Sequence, residues 1–196
     1  MPVGQRLVAA LLTLGGAIGF LAAFTLTVEK IALLKDPSYS PSCSINPILS
    51  CGSVMTTPQA EVFGFPNPLL GIAGFAVVTA LGVVLLTGVA LPRWMWWGLQ
   101  AGVVFGVVFV HWLIIQSLYR IGALCPYCMV VWTVMIPVFW YTTVHTLTHG
   151  HLPVPTGVRR AASAVAGYHS VVLTAWYLII AVLILERFWL YWTSLL

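Results

Sequence analysis

Cys125-Pro126-Tyr127-Cys128 places two thiols three residues apart. On a helix such residues share a face, with Cβ atoms about 5–6 Å apart, so a modest adjustment closes a disulfide. Pro126 suits the first helical position, where a missing amide hydrogen costs nothing. The open amides and the positive end of the helix dipole there stabilise a thiolate. Cys43 and Cys51, with seven residues between them in a Pro- and Ser-rich stretch, can form a second disulfide on a mobile tether. Two dithiols of different mobility suggest a relay in which thiolates attack disulfides. A lone C-x-x-C serves zinc about as readily as redox chemistry. Here the motif opens an apolar helix, which favours redox.

The elements that must position these thiols are membrane helices. Of the 196 residues, 61% are hydrophobic and 6% charged, which excludes an ordinary soluble domain. The eight Lys and Arg are scattered, apart from Arg159 and Arg160, so no basic stripe marks a nucleic-acid partner. A hydrocarbon core about 30 Å thick needs about 20 apolar residues. Five runs qualify, 7–28, 68–91, 94–118, 124–144 and 164–185, within one domain over 1–196. The first lacks a cleavage site at a sensible place and reads as a retained span. Trp94, Trp96 and Trp97, and Trp189, Tyr191 and Trp192, mark interfacial edges.

Residues 29–67 form a long loop with five prolines, and residues 145–163 a second one with three histidines. Loops of this length are usually functional or disordered. In the first, Thr57, Pro58 and Gly64 read as the N-cap, first position and stop of a short helix. With the N-terminus inside, both cysteine pairs fall on the outer side, where disulfides persist. Lys and Arg tie between the two sides, so the cysteines carry this topology.

The order of the pairs resembles the vitamin K epoxide reductase family, specifically its bacterial members. The likeness rests on Cys43-Ser44-Ile45-Asn46-Pro47-Ile48-Leu49-Ser50-Cys51 in the first outer loop and Cys125-Pro126-Tyr127-Cys128 opening the fourth span. It implies an all-α membrane protein of five spans, four of them bundled around a quinone, with the loop as a cap and the fifth helix outside. It implies that Cys128 contacts the quinone ring, that Cys51 exchanges with Cys125, and that Cys43 takes electrons from outside. Asn67 matches an asparagine that bonds a quinone carbonyl, and Thr57 a Ser or Thr that positions the cysteine chemistry. Trp132 stands where animal members carry a Tyr, so it is expected to wall or stack on the ring. The fused thioredoxin-like domain of many bacterial members is not seen in this chain, so a separate secreted or periplasmic thioredoxin-like dithiol protein is the expected partner. A bacterial inner-membrane location, a menaquinone or ubiquinone acceptor and no metal complete the expectation.

The remaining polar residues read more plainly. His111, inside the third span, is expected to be neutral and bonded to a neighbouring helix. His145, His149 and His151 are expected to face water near the inner surface. Gly15 with Gly19, and Gly98, Gly102 and Gly106, have the spacing that permits close helix approach. A DsbB-type quinone reductase, with its cysteine pairs in the opposite order, and a zinc-binding or purely structural membrane protein are the alternatives.

Overall fold

The computed structural model describes residues 3–193, so residues 1–2 and 194–196 at the ends of the domain lie outside it. Five of its helices are long and apolar enough to cross a membrane: α1 (Val3–Lys35), α3 (Pro68–Leu86), α4 (Arg93–Gln116), α5 (Pro126–Thr148) and α7 (His169–Arg187). Short helices α2 (Cys51–Met55), α6 (Thr156–Ala166) and α8 (Trp189–Thr193) complete the described chain. The protein is an all-α, multi-pass membrane protein.

Helix α1 packs against α3 on one side and α5 on the other, and α5 packs against α4. The α1–α3 approach is as close as backbones allow: a Cβ at Gly82 would fall 2.5 Å from the Thr13 amide nitrogen, and one at Gly16 2.5 Å from Thr79 Oγ1. Small residues matter here because helices in lipid associate by close packing rather than by hydrophobic exclusion from water. The row of neighbours runs α3, α1, α5, α4, and a cavity occupies the space between its two ends.

Helix α7 lies outside this row, with no buried residue of its own, and attaches at three polar points. Pro137 inside α5 has no amide hydrogen to give the Thr133 carbonyl, and the Tyr177 hydroxyl donates to that oxygen at 2.6 Å. The chain leaves α4 through a π-helical turn, Ser117–Ile121, which ends at Gly122 with φ +73°. Arg187 Nε donates to the Leu118 carbonyl of that turn at 2.7 Å. In the third contact, the Trp176 indole donates to His111 Nε2 at 2.8 Å, leaving Nδ1–H to bond the Val107 carbonyl at 2.7 Å. His111 is thus a neutral imidazole with both nitrogens satisfied, bridging two helices.

Several boundaries differ from the sequence reading. Helix α1 continues seven residues past Val28, because Glu29 and Lys30 are tied to the loop above rather than exposed to water. Helix α3 stops at Leu86, where Thr87 and Gly88, at φ +90°, turn the chain before Pro92. Residues 164–166 belong to the exposed helix α6, so the fifth span opens at His169. The cap holds α2 plus a short helix that opens as expected, with Thr57 in the N-cap position and Pro58 first, but is 3-10 in form and ends at Glu61, short of Gly64. Ser50 caps α2, accepting from the Ser53 amide at 3.2 Å, whereas the Thr57 side chain makes no capping bond to the 3-10 turn that it precedes.

Of the three histidines expected to face water, His149 is exposed and His151 half-buried, but His145 requires correction. His145 is buried, stacked on His149 at 4.0 Å and against Trp96 at 4.8 Å, and Trp96 also stacks on His151. Trp96 is therefore buried, while Trp94 and Trp97 are exposed. Flat apolar rings accept one another readily at a helix end, and a count of polar residues in a loop does not register that preference.

Candidate active site

The site begins with two charges at the end of α1. Glu29 accepts from the Tyr39 hydroxyl at 2.9 Å and from the Ser42 hydroxyl and amide, which fastens residues 39–42 over the helix end. Lys30 Nζ donates to the Met55 carbonyl at 2.7 Å and pairs with Glu61 at 2.8 Å, which fastens α2 and the 3-10 turn. Both side chains are buried, and buried charges persist only where partners satisfy them. Sequence reading missed this pair as site residues. The signal was present: adjacent opposite charges end an apolar run that has none from Leu7 to Val28.

Within the loop, Asn46 Oδ1 accepts from the amides of Ile48 and Leu49 at 3.0 and 2.7 Å, turning the chain back. The following residues pair with the strand-like segment before α5. Leu49 and Leu124 form an isolated parallel β-bridge, in which the Leu124 amide donates to the Ile48 carbonyl at 2.7 Å and the Ser50 amide to the Leu124 carbonyl at 2.9 Å. Cys51 stands two residues after Leu49, and Cys125 directly follows Leu124. Cys51 Sγ lies 3.0 Å from Cys125 Sγ, both buried, in a cluster with Leu26, Cys43 and Met55.

Cys51 is joined to Cys43 by a disulfide, with Cα atoms 5.5 Å apart, while Cys125 and Cys128 are thiols. Next to Cys51 the tether is docked by the backbone bridge to the segment before α5. Cys125 is the N-cap residue of α5, Pro126 follows at the first position, and Cys128 begins the descent into the bundle. The Cys128 side chain, ahead of the Cys128 and Tyr127 amides at the open helix end, holds the Cys125 thiol below its ordinary range, against the opposing effect of burial.

A cavity of about 510 Å³ lies between α3 and α4, with α1 and α5 behind it, and both Cys125 and Cys128 line it. That volume falls within the range of small-molecule sites, which are mostly apolar with a few polar groups. Apolar side chains such as Phe75, Leu99 and Met135 make most of this wall, and Lys30 and Asn67 contribute polar groups at the cap end. Such a lining fits an apolar aromatic acceptor better than a charged one.

The expected site residues fall as follows. Trp132, one turn below Cys128, is buried and forms part of the cavity wall. Asn67 also lines the cavity, but its carboxamide is engaged at both ends, Nδ2 donating to the Gln59 carbonyl at 2.8 Å and Oδ1 accepting from the Val62 amide at 3.2 Å. Each end retains one further hydrogen or lone pair. Thr57 does not line the cavity; its hydroxyl donates to the Val54 carbonyl at 2.7 Å and shapes the cap. Gly98 and Gly102 do not sit against a helix: a Cβ at either would meet nothing within 4 Å, and both line the cavity. Gly106 is covered by the Met135 side chain, while Gly15 and Gly19 do face neighbouring helices.

The arrangement can pass a disulfide from one pair to the other beside a space for a small apolar molecule. Comparison with curated proteins finds no match. The model of the vitamin K epoxide reductase family matches residues 10–143, more than two thirds of the chain, which takes in all four cysteines and most of the four helices around the cavity. The chain therefore belongs to the vitamin K epoxide reductase family, and its chemistry is oxidoreduction.

Proposed function

We propose that the protein is a thiol:quinone oxidoreductase that reoxidises a thioredoxin-like dithiol protein outside the cytoplasm and so sustains disulfide formation. The observation that carries this reading is the 3.0 Å separation of Cys51 Sγ and Cys125 Sγ, across which a thiolate of one pair reaches the disulfide of the other.

The reduced partner attacks Cys43, Cys51 leaves as a thiolate, and the partner's second thiol resolves the mixed disulfide, so two electrons enter the loop pair. Cys51 then attacks Cys125 of the Cys125–Cys128 disulfide, and Cys128 leaves as a thiolate beside the cavity. Cys43 attacks Cys51, re-forming the loop disulfide and expelling Cys125. The lowered pKa of Cys125 favours this step, because a more acidic thiol leaves faster. An oxidised loop pair beside a reduced helix pair, the pairing of this structure, is the state that such an exchange would leave.

A bound quinone supplies the two-electron, two-proton acceptor that returns the helix pair to a disulfide. The chain's part is to hold it: Trp132 walls the ring, Asn67 offers its spare hydrogen to a carbonyl, and the cap tied down by Lys30 and Glu29 excludes water. The docking of Cys51 by backbone pairing supplies the proximity that makes exchange effectively intramolecular. Disulfides persist in an oxidising compartment, which supports an orientation with the cysteine end outside a bacterial inner membrane and the N-terminus inside.

The test is quinol appearance on mixing purified protein, a reduced thioredoxin-like dithiol and a quinone. Cys125→Ala and Cys128→Ala are each expected to yield no quinol. Undiminished quinol from either variant defeats the relay.

A further inference from the structure

Three sulfur atoms, those of Cys43, Cys51 and Cys125, lie within 4.8 Å of one another, all buried. In the displayed state two of them are bonded together and have no thiolate to give. Reduction of the loop pair changes that and leaves three thiols facing one point. We propose that the fully reduced protein holds a soft divalent cation with a filled d shell, of the zinc or cadmium type, between Cys43, Cys51 and Cys125, and that the bound ion halts electron transfer. The site itself stands on the geometry alone; its inhibitory consequence rests on the relay proposed above.

Zinc–sulfur bonds of about 2.3 Å at tetrahedral angles set ligand sulfurs about 3.8 Å apart. Cys51 and Cys125 must therefore open from 3.0 Å by less than the length of one bond, and Cys43 moves away from Cys51 once their bond is broken. Each donor is held by a separate anchor. The segment before Cys43 is fastened to Glu29 through Ser42, Cys51 starts α2, and Cys125 precedes α5, with the Leu49–Leu124 bridge fixing the last two together. The neighbours Leu26 and Met55 bring no competing charge. One divalent cation among three thiolates leaves a single negative charge, which costs far less to bury than three separate thiolates.

The balance is simple: one divalent cation displaces three thiol protons, three metal–sulfur bonds form, and nothing is oxidised or reduced. Bound thiolates are no longer free to attack a disulfide. Closing the Cys43–Cys51 disulfide removes two of three donors, so the ion enters only when all four cysteines are reduced. That state accumulates when the dithiol partner delivers electrons and the acceptor is lacking. The site thereby reads the supply of acceptor.

The experiment uses the full chain in lipid nanodiscs, reduced anaerobically, freed of reductant and mixed with zinc or cadmium alone. The reduced protein is expected to retain about one equivalent through desalting, as a site of three thiolates does, while the same protein with its loop disulfide closed retains almost none. Cadmium should add a sulfur-to-metal absorption band in the ultraviolet. Cys43→Ser, Cys51→Ser and Cys125→Ser should each lose the band, and Cys128→Ser should keep it. No retained metal in the reduced protein, or equal retention in the oxidised one, overturns the inference. Quinol formation measured separately in chelator keeps the two readings apart: turnover without metal uptake sinks the site and leaves the relay, while uptake without turnover does the reverse.

Discussion

Leu49 and Leu124, 75 residues apart in sequence, are joined by a single parallel β-bridge, and the two bonds flanking it bring the next reactive residue of each segment, Cys51 and Cys125, to 3.0 Å. The register of exchange is therefore set by backbone amides rather than by the sulfurs. A bridge of this kind is blind to side-chain identity, since leucine, valine or threonine all supply the same N–H and C=O.

Removing one amide from this bridge should slow exchange without touching any sulfur. Leu124→Pro deletes the N–H that donates to the Ile48 carbonyl. A hydrogen bond of this type contributes about 0.5–1.5 kcal/mol net, so docking of the loop should weaken by about two- to tenfold. Partner-driven quinol formation is expected to fall by that factor, whereas a small dithiol that reduces the Cys125–Cys128 disulfide directly should drive the reaction as well as in the wild type. Equal loss with both reductants would show that the substitution damages the helix pair itself.

The acidity of Cys125 gives a pH signature. Its thiol is held below the ordinary range, first by the Cys128 side chain and then by the amides at the head of α5. A depressed folded-state pKa means that the thiolate contributes stability above the unfolded-state value, and that this contribution is lost as pH falls through the folded value. The leaving-group advantage in the step that re-forms the loop disulfide follows the same sign. Cys128→Ala removes the leading cause, so the titration of the one remaining thiol, followed by thiolate absorbance in the ultraviolet, should move upward relative to the first titration of the wild type. A midpoint that stays in place would assign the shift to the helix end alone.

The five spans and the C-x-x-C at the head of α5 were legible because each leaves a local trace, about 20 residues without charge or two thiols ahead of such a run. The external position of the fifth helix, by contrast, was implied only by the family resemblance. What was not legible depends on distant partners. Glu29 and Lys30 look like an ordinary helix end until Tyr39, Ser42, Met55 and Glu61 are folded over them. The stripe Gly98, Gly102, Gly106 has the spacing of a packing motif, yet its first two members border open space because α3 and α4 are held apart by α1 and α5 between them. Spacing reports which residues share a face; it is silent on what stands opposite that face.

That open face can be filled deliberately. A Cβ at Gly102 would meet nothing within 4 Å, and the residue lines the same cavity as Cys128. Gly102→Leu should fold at least as well as the parent, since leucine exceeds glycine in helix propensity by up to about 1 kcal/mol. The new side chain would occupy acceptor space, so the KM for quinone is expected to rise roughly tenfold or more, the effect of about 1.4 kcal/mol of lost binding. Disulfide exchange between the two cysteine pairs, followed by alkylation and mass analysis without quinone, should be unchanged. An unaltered KM would place the acceptor elsewhere.

The seam between the fifth helix and the bundle can be tested through one carbonyl. Pro137 leaves the Thr133 oxygen without its helical donor, and Tyr177 of α7 supplies the replacement at 2.6 Å. In lipid no water stands by to take over, so Tyr177→Phe should cost about 1 kcal/mol, within the range measured for hydrogen bonds between membrane helices. Pro137→Ala restores an amide at the position that normally bonds the Thr133 carbonyl. If the hydroxyl is there to serve that oxygen, Tyr177→Phe becomes nearly neutral in the Pro137→Ala background, and a double-mutant cycle on unfolding in detergent shows a coupling close to the full single-variant cost. Independent, additive effects would mean that α7 is held by packing and by its contacts at His111 and Leu118, and that the proline and the tyrosine do not act as a pair.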